Sequence, residues 1–516
     1  MAQLLSLSPC TGFEPAQRGT EKRLDIQFER DILPPMFDSI RKLTHHALIY
    51  GAGHILSRAV SFFLLPLYTH ALSQEEFGRV SLLFAYLATM TILYGFGIDS
   101  AFLRYYVLAE NPAEKRRVFS TAYLLVASMA LVFSFGHWFG AAPLARFVLD
   151  DSTQAPLLLF CAGILCCDAL AAFPFLLFRA EERSHLFALH KFFNVALNVT
   201  LSYIFLVHYQ RGLAGVLEAN FISSAFTFVT LLPTSMRRVR FKLERETCAK
   251  LWRYGLPYLP ATLGIVAIDN MDRYILKALT DLKTVGLYSA GYRLGIIMGL
   301  LIAAFRFAWM PFSLNLSRTE NARPLYARVL TYFITVCALI FLFFSFFIED
   351  LVRLRLGAFT MIAPDYWPAT VVVPIIMLGY WCYGVFVNLL VGIHVEEKTS
   401  YLPLLTGVGV LVNAGLNFAL IPSFGMVGAA WATTLAYAAM TVWAFFIIQK
   451  IYPIAYEWRR LIKVCLLTLV LFAAYKTFTV NFWLRVGLLT SFPLLLWLIG
   501  FFERSELQRA RRWLGI

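Results

Sequence analysis

About fourteen separate runs of roughly 20 apolar residues follow one another along this chain, each long enough to cross the ~30 Å hydrocarbon core of a bilayer as an α-helix. No other feature restricts the fold as much. In lipid, every backbone N–H and C=O needs a partner within the protein, so only helices and closed barrels can span it. The alternation of polar and apolar residues over ~10-residue segments that marks a barrel strand is missing from the sequence. The expectation is an all-α polytopic membrane protein. Composition agrees, with 59% of the 516 residues hydrophobic and 15% charged, where soluble domains carry about a quarter charged.

Lys and Arg mark the loops held on the cytoplasmic side. Arg18, Lys22, Arg23, Arg30, Arg41 and Lys42 precede the first run, Lys115, Arg116 and Arg117 follow the second, and Arg237, Arg238, Arg240, Lys242, Arg245 and Lys250 follow the sixth. Residues 70–76 and 422–425 contain neither Lys nor Arg; the loop at 349–367, with Arg353 and Arg355, is a mild exception. Both termini are therefore expected in the cytoplasm. The net charge of +14 belongs largely to this topology, and no nucleic-acid partner is expected. The eight cysteines include Cys161, Cys166 and Cys167 within one apolar run, without a CxxC pair or a His spacing that suits zinc, so no metal or cofactor is expected. Residues 1–45 lack an apolar core followed by a small-residue cleavage site and read as a cytoplasmic tail, not a signal peptide.

The chain also repeats itself. RAEERSHL at 179–186 returns as HVEEKTSY at 394–401, pairing Glu181 and Glu182 with Glu396 and Glu397. The spacing of Asn194 and Asn198 returns in Asn413 and Asn417, GLAG at 212–215 returns as GMVG at 425–428, and IYGAG at 49–53 resembles RYGLP at 253–257. Near the front of each copy, HALSQEEFGRVSLLFAY resembles KALTDLKTVGLYSAGYR. Six helices per copy is an even number, so the copies share one orientation, and two such lobes enclose a cavity that rocking exposes to either side. The predicted division is a tail (1–45), an N-lobe (46–236), a basic linker (237–251), a C-lobe (252–450) and two further helices with a cytoplasmic tail (451–516).

Ionisable residues inside spans cost about 2.5–3.5 kcal/mol each on insertion scales and usually face a wet interior. Tyr50, His54 and Arg58 form a polar stripe on the first run. Asp269 and Arg273 lie four apart on the seventh with Asp272 beside them, and Arg293 sits at a similar depth on the eighth. Asp269 with Arg273 reads either as an ion pair locking the helix or as part of a cavity; Asp272 is a candidate partner for Arg293. Asp168, in mid-run, is either a protonated, hydrogen-bonded acid or the receiver of a coupling proton. The four repeated asparagines suit interhelical hydrogen bonding. Arg104 and Arg306, near helix ends, suit snorkelling or phosphate contact, and Glu218 is ambiguous. A cavity lined by Arg58, Arg273 and Arg293, with His54 adding a proton-dependent charge, suits an anion, because guanidinium matches phosphate oxygens in bidentate geometry.

LIYGAGHILSRAVSFFLLPLYTHALSQEEFGRVSLLFAY, DRYILKALTDLKTVGLYSAGYRL and NAGLNFALIPSFGMVGAAWAT together resemble bacterial polysaccharide-biosynthesis flippases of the Wzx type, in the superfamily that also holds MATE multidrug exporters and the peptidoglycan-precursor flippase. The likeness runs from about residue 45 to 450. It implies two parallel six-helix lobes in a V, two C-terminal helices, and the turning over of undecaprenyl-diphosphate-linked oligosaccharide across the bacterial inner membrane. It further implies a cationic cavity matched by type in Arg58, Arg273 and Arg293, coupling to H+ or Na+, and work alongside a polysaccharide polymerase and glycosyltransferases. The basic N-terminal extension departs from the family pattern. A MATE-like cation or drug exporter would favour an acidic cavity instead. A membrane glycosyltransferase or ligase on the same lipid would need catalytic carboxylates in a sizeable outer loop, where 349–367 offers Glu349, Asp350 and Asp365; a non-enzyme is expected.

Overall fold

A computed structural model describes residues 62–317, 322–357, 359–478, 481–503 and 506; Tyr50, His54 and Arg58 lie outside them. The described chain is helical apart from turns and one two-residue strand pair, Arg355–Leu356 with Phe359–Thr360. The first half comprises α1 (Leu65–Ala71), α2 (Gln74–Gly95), α3 (Ile98–Leu108), α4 (Pro112–Leu149), α5 (Ala155–Ala180), α6 (Ser184–Tyr203) and α7 (Gly212–Met236). The second comprises α8 (Arg245–Gly255), α9 (Tyr258–Leu279), α10 (Leu282–Leu316), α11 (Ala322–Arg353), α12 (Val373–Leu389), α13 (Val391–Val395) and α14 (Leu402–Ile451). Two further helices, α15 (Trp458–Thr477) and α16 (Phe482–Leu498), follow.

Among the described residues nine helices are long and apolar enough to cross a membrane. The about fourteen expected from the sequence differ for identifiable reasons. The stretch containing α14 is two helices that meet at Gly425, where φ 53° and ψ −131° reverse the helical backbone. α9 carries Asp269, Asp272, Arg273 and Lys277 within 22 residues, and α16 is only 17 residues long.

The repeated strings adopt repeated backbone. α5 ends through Glu182 at φ 56° and α13 through Glu397 at φ 54°, a left-handed step that non-glycine residues seldom take. In both places the following amide reaches back five residues, Arg183 N to Phe178 O at 2.8 Å and Lys398 N to Ile393 O at 3.0 Å. That 6→1 bond terminates a helix by satisfying carbonyls that have lost their helical partners. Gly212 and Gly425, opening the two GxxG strings, share φ 54° and 53°.

Helices in lipid gain little from burying apolar surface, so close packing through small residues holds them together. α2 and α10 cross in this way. Ser73 caps α2 and Asp281 caps α10, and the fifth residue beyond each cap is a glycine, Gly78 and Gly286. A Cβ on Gly78 would stand 2.2 Å from Leu282 O, and one on Gly286 would stand 2.0 Å from Gln74 O. The contact is reciprocal, each helix presenting its glycine to the other's first-turn carbonyl. Around it, Lys277 Nζ donates to Phe147 O (3.0 Å), Val148 O (3.2 Å) and Asp150 Oδ1 (3.0 Å). From the other side, Tyr366 OH donates to Leu72 O at 3.0 Å and Gln74 Nε2 donates to Asp365 O. Each half thus straps the other's helical turn at this end of the bundle, the end that the Lys and Arg pattern assigns to the outside.

At the opposite end α8 lies against α3, with Gly97 and Gly255 in backbone contact and the Arg104 guanidinium 4.8 Å from the Tyr254 ring centroid. The last two helices attach to α11. Arg460 of α15 donates to Tyr332 OH of α11 at 3.3 Å and pairs with Glu457 and Glu506, both at 3.1 Å, and Arg485 of α16 is paired with Asp350 of α11.

Candidate functional site

The charged residues predicted on the seventh and eighth runs converge where α9 and α10 meet α2, α12 and α14. Asp272 is fully buried. Its Oδ1 accepts from Arg273 Nη1 (3.1 Å) and from the Arg273 amide (2.8 Å), and its Oδ2 accepts from Tyr288 OH and from Thr433 Oγ1 (3.4 Å). The ion pair of Arg273 is therefore with Asp272, and Asp269 contributes only its main-chain carbonyl to the guanidinium. The reason lies on other helices. The Asp269 carboxylate is occupied by tyrosine hydroxyls, from Tyr437 at 2.6 Å, Tyr292 at 2.9 Å and Tyr380 at 3.4 Å. Four helices are tied together through one carboxylate oxygen.

Arg293 does not share Asp272. Its guanidinium lies among three aromatic rings of the other half, 5.5 Å from the centroid of Tyr68, 4.9 Å from Phe77 and 5.5 Å from Phe84. Its Nη1 is buried without a hydrogen-bond partner among the described residues. Cation–π contact contributes about 0.5–2 kcal/mol per desolvated ring, whereas removing an ion from water costs several kcal/mol. The rings offset part of that cost and leave one donor unmet. What completes such a site chemically is an acceptor, and an anionic one most of all.

Asp168 on α5 lies near Ser224 of α7 and within electrostatic reach of Lys191 on α6, whose ammonium rests 4.3 Å above the Phe175 ring centroid. Asn194 Nδ2 donates to Thr227 Oγ1 (2.9 Å) and Ser223 O (3.1 Å). In the other copy Asn413 Nδ2 donates to Thr433 Oγ1 (3.3 Å), and Asn417 Nδ2 to Asn413 Oδ1 (3.0 Å). Arg306 Nη1 reaches Tyr383 OH at 3.4 Å, and Glu218 pairs with Arg211 at 2.8 Å.

Sequence reasoning missed the tyrosines and Lys191. Tyr288 and Tyr292 stand four apart beside Arg293, a spacing that puts both on one helix face. Lys191 interrupts an apolar run as Asp168 does, so the argument applied to the acid would have found this lysine as well. Among the described residues no group of three or more His, Cys, Asp or Glu is placed to hold a metal ion.

A family model described as polysaccharide biosynthesis protein matches residues 43–317, just over half of the chain. A protein of the Lsg locus of Haemophilus influenzae is 20% identical over 277 residues, spanning 52% of this chain and 66% of that one. Among solved structures, the lipid II flippase MurJ in an inward closed conformation aligns at a TM-score of 0.70 and 15% identity, over 88% of this chain and 99% of MurJ. An inward-facing multidrug resistance MATE family transporter of the MOP superfamily aligns at 0.59 and 13%, over 76% and 95%. At these identities the structural likeness is one of fold, and it is to proteins that move substrates across membranes. The chain belongs to the polysaccharide biosynthesis protein family, and its fold is that of MOP-superfamily flippases and transporters.

Proposed function

We propose that the protein turns undecaprenyl-diphosphate-linked oligosaccharide over from the cytoplasmic to the outer leaflet of the bacterial inner membrane by alternating access. In this reading the diphosphate meets a set of cations, Arg293 with Arg58 and His54 of the first run, while Arg273 adds a positive but already paired neighbour. The glycan occupies the aqueous space between the halves, and the polyprenyl chain stays in lipid. One observation carries the reading: Arg293 sits on the seam between the halves with an unmet donor and no carboxylate partner among the described residues. Separation of α2 from α10 would uncover it to cargo. Coupling to H+ or Na+ would run through Asp168 with Lys191, or through Asp269, whose carboxylate is held by hydroxyls instead of an arginine. The polymerase and glycosyltransferases that make and consume such a lipid are the expected partners. The family match supports the polysaccharide side of this reading, and the MurJ-like fold supports flipping.

The test is reconstitution into liposomes with a fluorescent polyprenyl-diphosphate sugar, following the fraction exposed to an external quencher. Acceleration that Arg293→Ala or Arg58→Ala abolishes is expected. Exposure that stays at the protein-free rate under every imposed gradient would remove the flippase reading.

A further inference from the structure

At the strapped end of the bundle, the C-terminus of α11 and the turn 364–370 enclose a cleft of about 390 Å³. Its walls are Glu349, Arg353, Pro364, Trp367, Pro368 and Thr370. We propose that this cleft is a saccharide-binding subsite, which takes a sugar ring of the cargo once it has reached the outer side.

The lining is what a sugar ring requires. A pyranose has an apolar face of C–H groups and an equator of hydroxyls, so it is held by a flat aromatic or proline surface together with a few polar groups around it. Trp367 supplies the ring, anchored by its Nε1 donating to Ile362 O at 3.1 Å. The Arg353 guanidinium lies over one face of the indole, 4.8 Å from its centroid, so a sugar packs against the opposite face or against Pro364 and Pro368, with the fork of N–H donors alongside. Glu349 and Arg353 stand 3.8 Å apart, beyond hydrogen-bonding distance, with each side chain about half exposed. Both keep their capacity for hydroxyls. Thr370 Oγ1 donates to Trp367 O at 2.8 Å and remains free to accept. A second cleft, about 290 Å³ among Phe160, Phe205 and Phe221, has its charged pair Arg211 and Glu218 closed on itself at 2.8 Å and offers no such set.

Position gives the subsite a role. Asp365 and Tyr366, which strap Gln74 and Leu72 of the other half, lie between Pro364 and Trp367 in the cleft wall. A sugar seated on Trp367 therefore bears directly on the segment that must release the α1–α2 turn when the seam opens. The identity of the ligand as cargo rests on the flippase reading above, whereas its chemistry as a saccharide rests on the cleft alone.

The experiment titrates the full chain in nanodiscs with three lipid-free probes, maltotriose, chitotriose and tri-galacturonate, by saturation-transfer NMR and calorimetry. At least one is expected to bind in the millimolar range, with Trp367→Ala weakening it about tenfold or more, Trp367→Phe retaining part of it, and Glu349→Gln altering the preference between neutral and acidic probes. If none of the three binds, or if the Trp367→Ala and Glu349→Gln proteins bind as tightly as the unaltered one, the subsite is wrong, whatever the liposome assay shows. If Trp367-dependent binding persists while lipid turnover fails, the subsite stands and the flippase reading falls.

Discussion

Gly78 and Gly286 face one another across the crossing of α2 and α10, each five residues past its helix cap, and neither has room for a Cβ. The two positions are equivalents in the duplicated halves, so the seam is built around a local pseudo-twofold axis. Adding bulk at either glycine should push the same two helices apart. Overpacking costs about 1–3 kcal/mol, enough to shift a two-state equilibrium about 5- to 150-fold. Gly78→Leu and Gly286→Leu should therefore each raise the reactivity of a cysteine placed at the buried Val285 toward a membrane-impermeant maleimide, in a background otherwise free of cysteine. Equal effects from both are expected, and reactivity unchanged in either would show that this crossing does not hold the seam shut.

Lys277 is the cationic strap of that seam. Its side chain is 9% exposed and serves two carbonyls as well as Asp150, which is 71% exposed. An ion pair to an exposed acid contributes about 0–1 kcal/mol, whereas a hydrogen bond from a charged donor contributes about 1.5–3 kcal/mol, and Lys277 makes two to carbonyls. Lys277→Ala should lower the unfolding temperature in nanodiscs and Asp150→Ala should barely change it. Equal losses would mean that the ion pair, and not the carbonyl contacts, carries the strap.

Breaking the pair of Asp272 and Arg273 from one side leaves an uncompensated buried charge, at a cost of about 3–5 kcal/mol. Arg273→Met and Asp272→Leu should each express poorly. The double substitution removes both charges and should recover most of the folded yield, since replacing a buried pair with apolar side chains is often neutral. Size-exclusion recovery of the three variants checks this, and a double variant no better than the singles would contradict it.

Much of the fold could be read from the sequence because its determinants are local: apolar runs of spanning length, and the Glu-Glu strings whose left-handed backbone recurs at Glu182 and Glu397. The repeat in the front strings was legible only approximately. Ser73 is similar in type to Thr280, but the cap of α10 is Asp281, one residue later, and this is what brings Gly78 into equivalence with Gly286. The charged residues could be picked out in the sequence, but their partners could not. Helical spacing favours Asp269 for Arg273, yet Tyr292, Tyr380 and Tyr437 from three other helices occupy that carboxylate and leave Asp272 to the arginine. Such competition depends on tertiary approach, which spacing along one helix does not encode. His54 and Arg58 lie outside the described residues, so their part in the cation set is a proposal.

The basic linker is clamped by an acid from the repeated string, and the clamp should open in acid. Glu181 accepts from Arg238 Nη2 at 3.0 Å and from Tyr106 OH at 2.8 Å. Burial raises the Glu181 carboxyl, but the bonds from Arg238 and Tyr106 outweigh it and hold the group below the ordinary carboxylate range. A carboxylate whose folded value is depressed stabilises the clamped form fully above its unfolded value, about 4.3. That contribution is lost as pH falls through the lower folded value. A spin label on Phe241→Cys, a site 84% exposed just beyond the clamp, should keep constant mobility from about pH 7 to 5 and loosen only at pH below the ordinary carboxylate range. Glu181→Gln should be loose throughout. Because the carboxyl is partly open to solvent, the effect should be local to the linker and leave the unfolding temperature at neutral pH nearly unchanged. A Glu181→Gln chain as immobile as the unaltered one at neutral pH would show that Glu181 does not hold the linker.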